Sequence, residues 1–137
     1  MLKPLILLLL FASLAAAQPA PRDIDITTSD GTKLKATYFA AGKQGPAVML
    51  MHMCISTRES WGPVARQLSA AGINALTIDN RGFGESGGPR FELDNPKAQR
   101  LLRDAWPGDF DAAFPYLKRK PDRRVGSVLA LPAWSGA

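Results

Sequence analysis

Ala47-Val48-Met49-Leu50-Met51 is apolar at every position and runs into His52. A strand with one wetted face alternates apolar and polar residues; a strand without alternation has both faces covered. Strands of the second kind belong to parallel sheets sandwiched between helices, so these five residues predict an α/β fold.

The flanking sequence supplies the other layers. His52 to Glu59 is a polar loop. Ser56 and Glu59 have capping-box spacing, and Ser60 is an alternative cap. Trp61, Val64, Ala65, Leu68 and Ala71 recur at helical spacing. Pro63 fits only the first turn of that helix, which predicts a start near Ser60 and an end at Gly72. Ile73–Ile78 reads as the next strand, and Asp79–Pro89 as a glycine-rich loop. Asn95-Pro96 caps a helix carrying Leu101, Leu102 and Ala105. Trp106-Pro107-Gly108 predicts a break, with Asp109 and Asp111 at the start of a new helix bearing Phe110, Ala113, Phe114 and Leu117. Pro115 predicts a kink or an early end there. After the basic turn Lys118–Arg124, Val125–Leu131 begins as an apolar strand. Upstream, Asp23–Thr27 and Lys33–Phe39 alternate, and Asp30-Gly31 between them predicts a hairpin. The expected order is a hairpin followed by parallel strands with flanking helices, in one domain over residues 18–137.

Composition places bounds on function. The 137 residues are 46% hydrophobic with a net charge of +5, which suits a globular chain and names no partner. Lys3, the apolar run Pro4–Leu14 and Ala15-Ala16-Ala17 have the order of a secretory signal peptide. Residues 1–17 are expected to be removed on export to the periplasm or the outside; an uncleaved anchor is the alternative. The apolar run is short for a bilayer, so no stable membrane anchor is expected after cleavage. The chain has one cysteine, Cys54, and one histidine, His52. An internal disulfide and a zinc site both need more, and no metal or cofactor is expected.

Three patterns occur in order: Val48-Met49-Leu50-Met51-His52 with Trp61 behind it, Asp79-Asn80-Arg81-Gly82-Phe83-Gly84-Glu85-Ser86-Gly87-Gly88, and Asp122-Arg123-Arg124-Val125-Gly126. Together they resemble the N-terminal half of the α/β-hydrolase family, in its dienelactone-hydrolase-like and serine-aminopeptidase-like branches. The D-x-R-G-x-G-x-S loop is the most specific of the three. The resemblance implies a serine hydrolase acting on a small-molecule ester, thioester or amide. It places the oxyanion-hole backbone N–H at Met53 or Cys54, and gives His52 the task of hydrogen-bonding the loop beneath the site. The family often has glycine where this chain has Met53. Arg81 has two open readings, a pair with a carboxylate such as Glu85 that braces the loop, or plain solvation.

The tail departs from the family. A nucleophile elbow, G-x-S-x-G, is due after the last strand, with its serine near Leu131. Ala133-Trp134-Ser135-Gly136-Ala137 is a degenerate elbow that lies about four residues late, and Ser135 is the candidate nucleophile. A frameshift near Ser127, or an early stop, is therefore expected, with a chain inactive as it stands.

Other readings compete. Cys54 as nucleophile has no second histidine to serve it; a buried small hydrophobe is the simpler role. Gly82–Gly87 also fits G-x-G-x-x-G, but a dinucleotide fingerprint needs a helix starting at those glycines, and Gly88-Pro89 follows. The run Lys118–Arg124 lacks interleaved aromatics, so no nucleic-acid partner is expected. A non-catalytic, hydrolase-like binding protein is the main alternative to an enzyme.

Overall fold

The computed structural model describes residues 17–52, 55–118 and 130–132. Apart from Ala17, the leader expected at residues 1–17 lies outside them.

β1 (Arg22–Thr27) and β2 (Lys33–Phe39) form an antiparallel hairpin. Its turn is closed by Asp30, whose carboxylate accepts from the Thr28 hydroxyl and the Thr32 N–H. β3 (Ala47–Met51) and β4 (Asn74–Ile78) are parallel neighbours, and β2 closes on β4 antiparallel. β5 (Ala130–Pro132) lies parallel to the other side of β3, with Leu50 opposite Leu131. The sheet order is β1-β2-β4-β3-β5. Of the last strand expected over Val125–Leu131, Ala130 and Leu131 lie in β5, and residues 119–129 lie outside the description.

α1 (Gly62–Ala70) and α2 (Pro96–Lys118) cover opposite faces of the sheet. Alternate residues of β3 divide between them. Ala47 and Met49 pack with Leu76, Ile78, Ala113 and Leu117. Val48 and Leu50 pack with Phe39, Ala65 and Ala75. This division is why β3 carries no polar position. Fully burying one side chain such as Leu50 or Leu76 is worth about 1.5–3 kcal/mol, and both are essentially inaccessible.

The start of α1 differs from expectation. Arg58–Trp61 forms a 3-10 turn, and the α-helix begins after it with Pro63 near its N-terminus. No side chain caps either segment; the Ser60 hydroxyl donates to the Thr57 carbonyl instead. The 3-10 geometry supplies the partners a cap would have given. Its buried face is Trp61, Ala65, Leu68 and Ser69, while Val64 and Ala71 are exposed. The end is as expected. Gly72 has φ +90°, its N–H donates to Ser69 O, and the Ile73 N–H donates to Leu68 O, which is a Schellman motif.

α2 corrects the predicted break. It runs unbroken through Pro107 and Pro115. Leu102, Asp109, Ala113 and Leu117 are all buried, and their spacing is one stripe along one face. That continuous burial outweighs the hydrogen bonds the prolines cannot donate. Asn95 caps the helix as expected, its Oδ1 accepting from the Ala98 N–H at 3.0 Å.

Candidate active site

From β3 the chain crosses over to β4 on one side, and from β4 it returns across α2 to β5 on the other. The carboxyl end of β3 is thus the topological switch point of the sheet, the place where open α/β sheets leave a crevice. His52 follows that end directly, and Asp79–Ser86 follows the neighbouring end of β4. The residues gathered there are mostly buried and mutually bonded.

His52 is 5% exposed. Its Nε2 accepts the Asn80 backbone N–H at 3.0 Å, and the Asn80 side-chain amide donates to the His52 carbonyl at 3.2 Å. The Phe83 ring meets the His52 ring edge-on at 5.1 Å and stacks on Phe91 at 4.9 Å. The indole N–H of Trp61 donates to Met51 O at 2.8 Å, tying the first helical turn back to β3. With Nε2 committed to a backbone N–H, His52 braces the two loops against each other.

A second group braces the first turn after the loop. Asp79 is fully buried. Its carboxylate accepts the Arg58 N–H at 2.6 Å, the Arg58 guanidinium at 2.6 Å and the Glu85 N–H at 3.0 Å. Arg58 also reaches Glu85 Oε1 at 2.9 Å and the Thr37 hydroxyl. Burial works against the Arg58 charge, but the bonds to Glu85 and Asp79 outweigh it and hold the guanidinium above its ordinary pKa. Gly84, at φ +48°, passes so close to Asp79 that a Cβ there would overlap the carboxylate. The Ser86 hydroxyl donates to Asp79 O at 2.6 Å and accepts the Lys35 N–H at 2.8 Å, stitching the loop to β2.

Of the two readings open for Arg81, pairing with a carboxylate holds and plain solvation does not, but the partners are Asp109 and Asp30 and not Glu85. Arg81 is 8% exposed and forks onto Asp109 of α2, at 2.6 and 3.1 Å, and onto Asp30 of the hairpin turn. A desolvated guanidinium needs partners, and Asp109, 1% exposed, is a buried carboxylate at hand. Glu85 is taken by Arg58. Asp30 and Asp109 raise the Arg81 pKa further above its ordinary value. The Arg81 bonds hold Asp30 well below the usual carboxylate range, whereas burial pushes Asp109 up despite Arg81. Gly88, at φ +94°, leaves room for this side chain; a Cβ there would stand 2.6 Å from Arg81 Cγ.

Met53 and Cys54, the expected oxyanion residues, and Ser135 lie outside the described residues. Gly82–Gly88 is a series of turns, and no helix starts on it, so the phosphate-binding geometry of a dinucleotide loop is not built there. Among the described residues no cluster of histidine, cysteine, aspartate or glutamate could hold a metal, and no helix is long and apolar enough to cross a membrane. A cleft of about 590 Å³ lined by Asp25, Thr27, Gly108, Asp111 and Pro115 shares no residue with this site. The residues that sequence reasoning missed are Asn80, Arg58, Ser86 and Asp109. Asn80 and Ser86 stood inside the quoted loop pattern, with nothing to show what they touch. Asp109 read as the start of a new helix, and no pattern in the sequence singled out Arg58.

Comparisons with known proteins bear on the fold. No protein-family profile matches the chain. It is 33% identical over 95 residues to an uncharacterised protein of Mycobacterium tuberculosis, covering 68% of this chain and 32% of that one. It is 34% identical over 92 residues to a polyketide transferase of a Penicillium species, covering 65% and 31%. It is 30% identical over 101 residues to a thiohydrolase of Aspergillus aculeatus, covering 72% and 29%. The chain thus spans about a third of the length of the curated relatives it matches. A Pyrococcus furiosus esterase superposes with TM-score 0.64 at 25% identity, over 82% of this chain and 40% of that one. An α/β-hydrolase of a Penicillium species superposes with TM-score 0.63 at 25% identity, over 83% and 37%. With 82–83% of its length superposed on an esterase and on an α/β-hydrolase, the chain has the fold of the α/β-hydrolase family.

Proposed function

We propose that the protein is an exported serine hydrolase that cleaves a small-molecule ester, thioester or amide, and that this chain builds the oxyanion side of its site. The observation that carries the reading is the buried His52–Asn80 brace at the carboxyl end of β3, directly before Met53 and Cys54. A backbone N–H aimed at the carbonyl oxygen as it gains charge is worth about 2.7–4 kcal/mol in the transition state. Fixing the start of the loop before substrate arrives keeps that donor from reorganising during the reaction. In the reaction a serine hydroxyl attacks the carbonyl and its proton passes to a histidine base. The tetrahedral oxygen is then held by the Met53 or Cys54 amide. Ser135 is the candidate nucleophile within these 137 residues; in this family the acid and the base follow the nucleophile in chain order. His52 is not that base, because its Nε2 is committed to the Asn80 N–H.

The relatives' names support an acyl substrate: a thiohydrolase and an esterase both act on acyl groups, and neither name implies a nucleotide. Export is supported by Lys3, the apolar run and Ala15-Ala16-Ala17. The test is a serine-directed fluorophosphonate probe applied to the protein made from its own gene in cells, followed by fractionation and N-terminal sequencing. Covalent labelling at a serine, with a mature chain beginning at Gln18 outside the cytoplasm, is the expected result. Absence of labelling on folded protein overturns the enzymatic reading in favour of a binding role. Labelling that survives Ser135→Ala moves the nucleophile elsewhere and leaves the hydrolase reading standing.

A further inference from the structure

Among the described residues β1 is the outermost strand on its flank of the sheet. Its partners show which of its backbone groups face outward. Asp25 stands opposite Lys35, and Thr27 opposite Lys33. The Lys35 N–H donates to the Ser86 hydroxyl, the Lys35 carbonyl accepts the Asp79 N–H, and the Lys33 carbonyl accepts the Gly87 N–H. Both lysines thus turn their backbone away from β1, and in such a pair the opposing residue turns away too. Asp25 and Thr27 therefore present N–H and C=O to the open side of β1, and Asp23 does so by alternation.

That side is one wall of the cleft of about 590 Å³, and Gly108, Asp111, Ala112 and Pro115 of α2 form the other. The two faces of β1 differ. Ile24 and Ile26 pack in the core that α2 covers, with Ala112 beside them. Asp23 and Asp25 lie on the opposite face, with side chains 56% and 61% exposed. Asp23 accepts the Thr37 hydroxyl, and Asp25 meets Lys35 at 3.0 Å. Asp111 adds an exposed carboxylate, and among the described residues no lysine or arginine lines the cleft. We propose that this edge binds an extended segment of another protein, alternating Lys or Arg with apolar residues, as a strand added antiparallel to β1. Main-chain bonds to Asp25 and Thr27 hold the segment. On one face its basic side chains stand opposite Asp23 and Asp25, where opposite charges attract. On the other its apolar side chains lie toward Ala112 and Pro115. A second copy of this chain fits worse, because pairing β1 with β1 gathers the aspartates of both copies along one seam. Binding at this edge is independent of the proposed catalytic site.

The probe is a capped, labelled peptide of alternating lysine and valine, titrated against the full-length protein by fluorescence anisotropy. Saturable binding that weakens with salt is expected, together with slower hydrogen exchange at the Asp25 and Thr27 amides. Strand addition has a signature that charge attraction lacks. Residues directly opposite Asp23 and Asp25 exchange their N–H and C=O with β1, and their neighbours point away. N-methylation of the lysines should therefore weaken binding about tenfold or more, while N-methylation of the valines leaves it nearly unchanged. Asp23→Lys combined with Asp25→Lys should weaken the lysine peptide and admit a glutamate–valine peptide in its place. Where that variant does not fold, the two methylated peptides decide on wild-type protein. Equal binding of the two methylated peptides overturns the proposal, as does failure to saturate at millimolar peptide or unchanged exchange at Asp25 and Thr27. A concentration-dependent dimer of the protein alone, with those two amides protected, overturns it in favour of a second copy.

Discussion

Arg58 carries its charge to a position that is 4% exposed, next to an Asp79 that water does not reach. The Arg58 guanidinium and the Asp79 carboxylate meet at 2.6 Å. Replacing a buried pair by apolar groups can be neutral, but removing one partner strands the other charge and costs about 3–5 kcal/mol. Arg58→Met should therefore destabilise the protein by that amount in chemical denaturation. Asp79→Asn added to it should restore part of the loss, because the remaining amide carries no stranded charge. A single variant that melts like wild type would show that the pair does not hold the loop. The second charged cluster makes its own prediction about pH. Asp30 has a folded pKa below its ordinary value because of Arg81 first, then Thr28 and the Thr32 N–H. Its contribution is complete above the ordinary carboxylate value and disappears as pH falls through the lower folded value. Asp109 runs the other way: burial raises it, so its contribution is greatest at low pH and fades as pH rises. Comparing wild type with Asp30→Asn isolates the first effect. The stability gap between them should be widest near neutrality and close below about pH 4. A gap that stays constant with pH would mean that Asp30 is not charged against Arg81.

At the scale of the element, α2 shows what periodicity conveys and what punctuation obscures. Leu102, Ala113 and Leu117 declare one apolar stripe, but Pro107-Gly108 between them reads as a stop. Local rules weigh residues against the preceding turn; burial of a stripe is settled by the sheet, which no short window contains. Asp109 failed for the same reason. A carboxylate after a presumed break looks like a helix start, and only the fold reveals Arg81 opposite it. By contrast β3 was legible at once, since having no polar residue on either face has one ordinary cause. The Schellman end at Gly72 and the Asn95 cap were legible too, because both motifs are local. The bracing pairs that join separate elements of the site lie 21 to 51 residues apart in sequence, which is why the chain named His52 and the loop without naming their bonds. Gly108 offers a test within α2. It lies inside the helix, and a Cβ there meets nothing within 4 Å. Gly108→Ala should stabilise the protein by about 0.5–1 kcal/mol by narrowing the freedom of the unfolded chain. Loss of stability instead would mean that the helix does not continue through Pro107.

For the molecule as a whole, the sheet order sets an asymmetry that bears on how these 137 residues behave alone. On one flank β3 is covered by β4 and then by the hairpin. On the other flank, among the described residues, it meets β5, whose three residues pair with Met49, Leu50 and Met51. Among the described residues, Ala47 and Val48 have no strand partner on that side, and β5 is the outermost strand there. β3 is the strand with both faces apolar, so among the described residues the most apolar part of the sheet stands one strand from an edge. Unpaired backbone beside apolar side chains is a template for another chain. Pro132 blunts the outermost strand, since it cannot donate to a ladder, but it protects only one position. A polypeptide of residues 18–137 should therefore self-associate at micromolar concentration, bind a hydrophobic dye, and melt without a sharp transition. Sedimentation and calorimetry on that polypeptide decide the matter. A monomer with a cooperative melt would mean that three paired residues suffice to close the flank. The hairpin and the two packed faces would then fold as a self-sufficient unit.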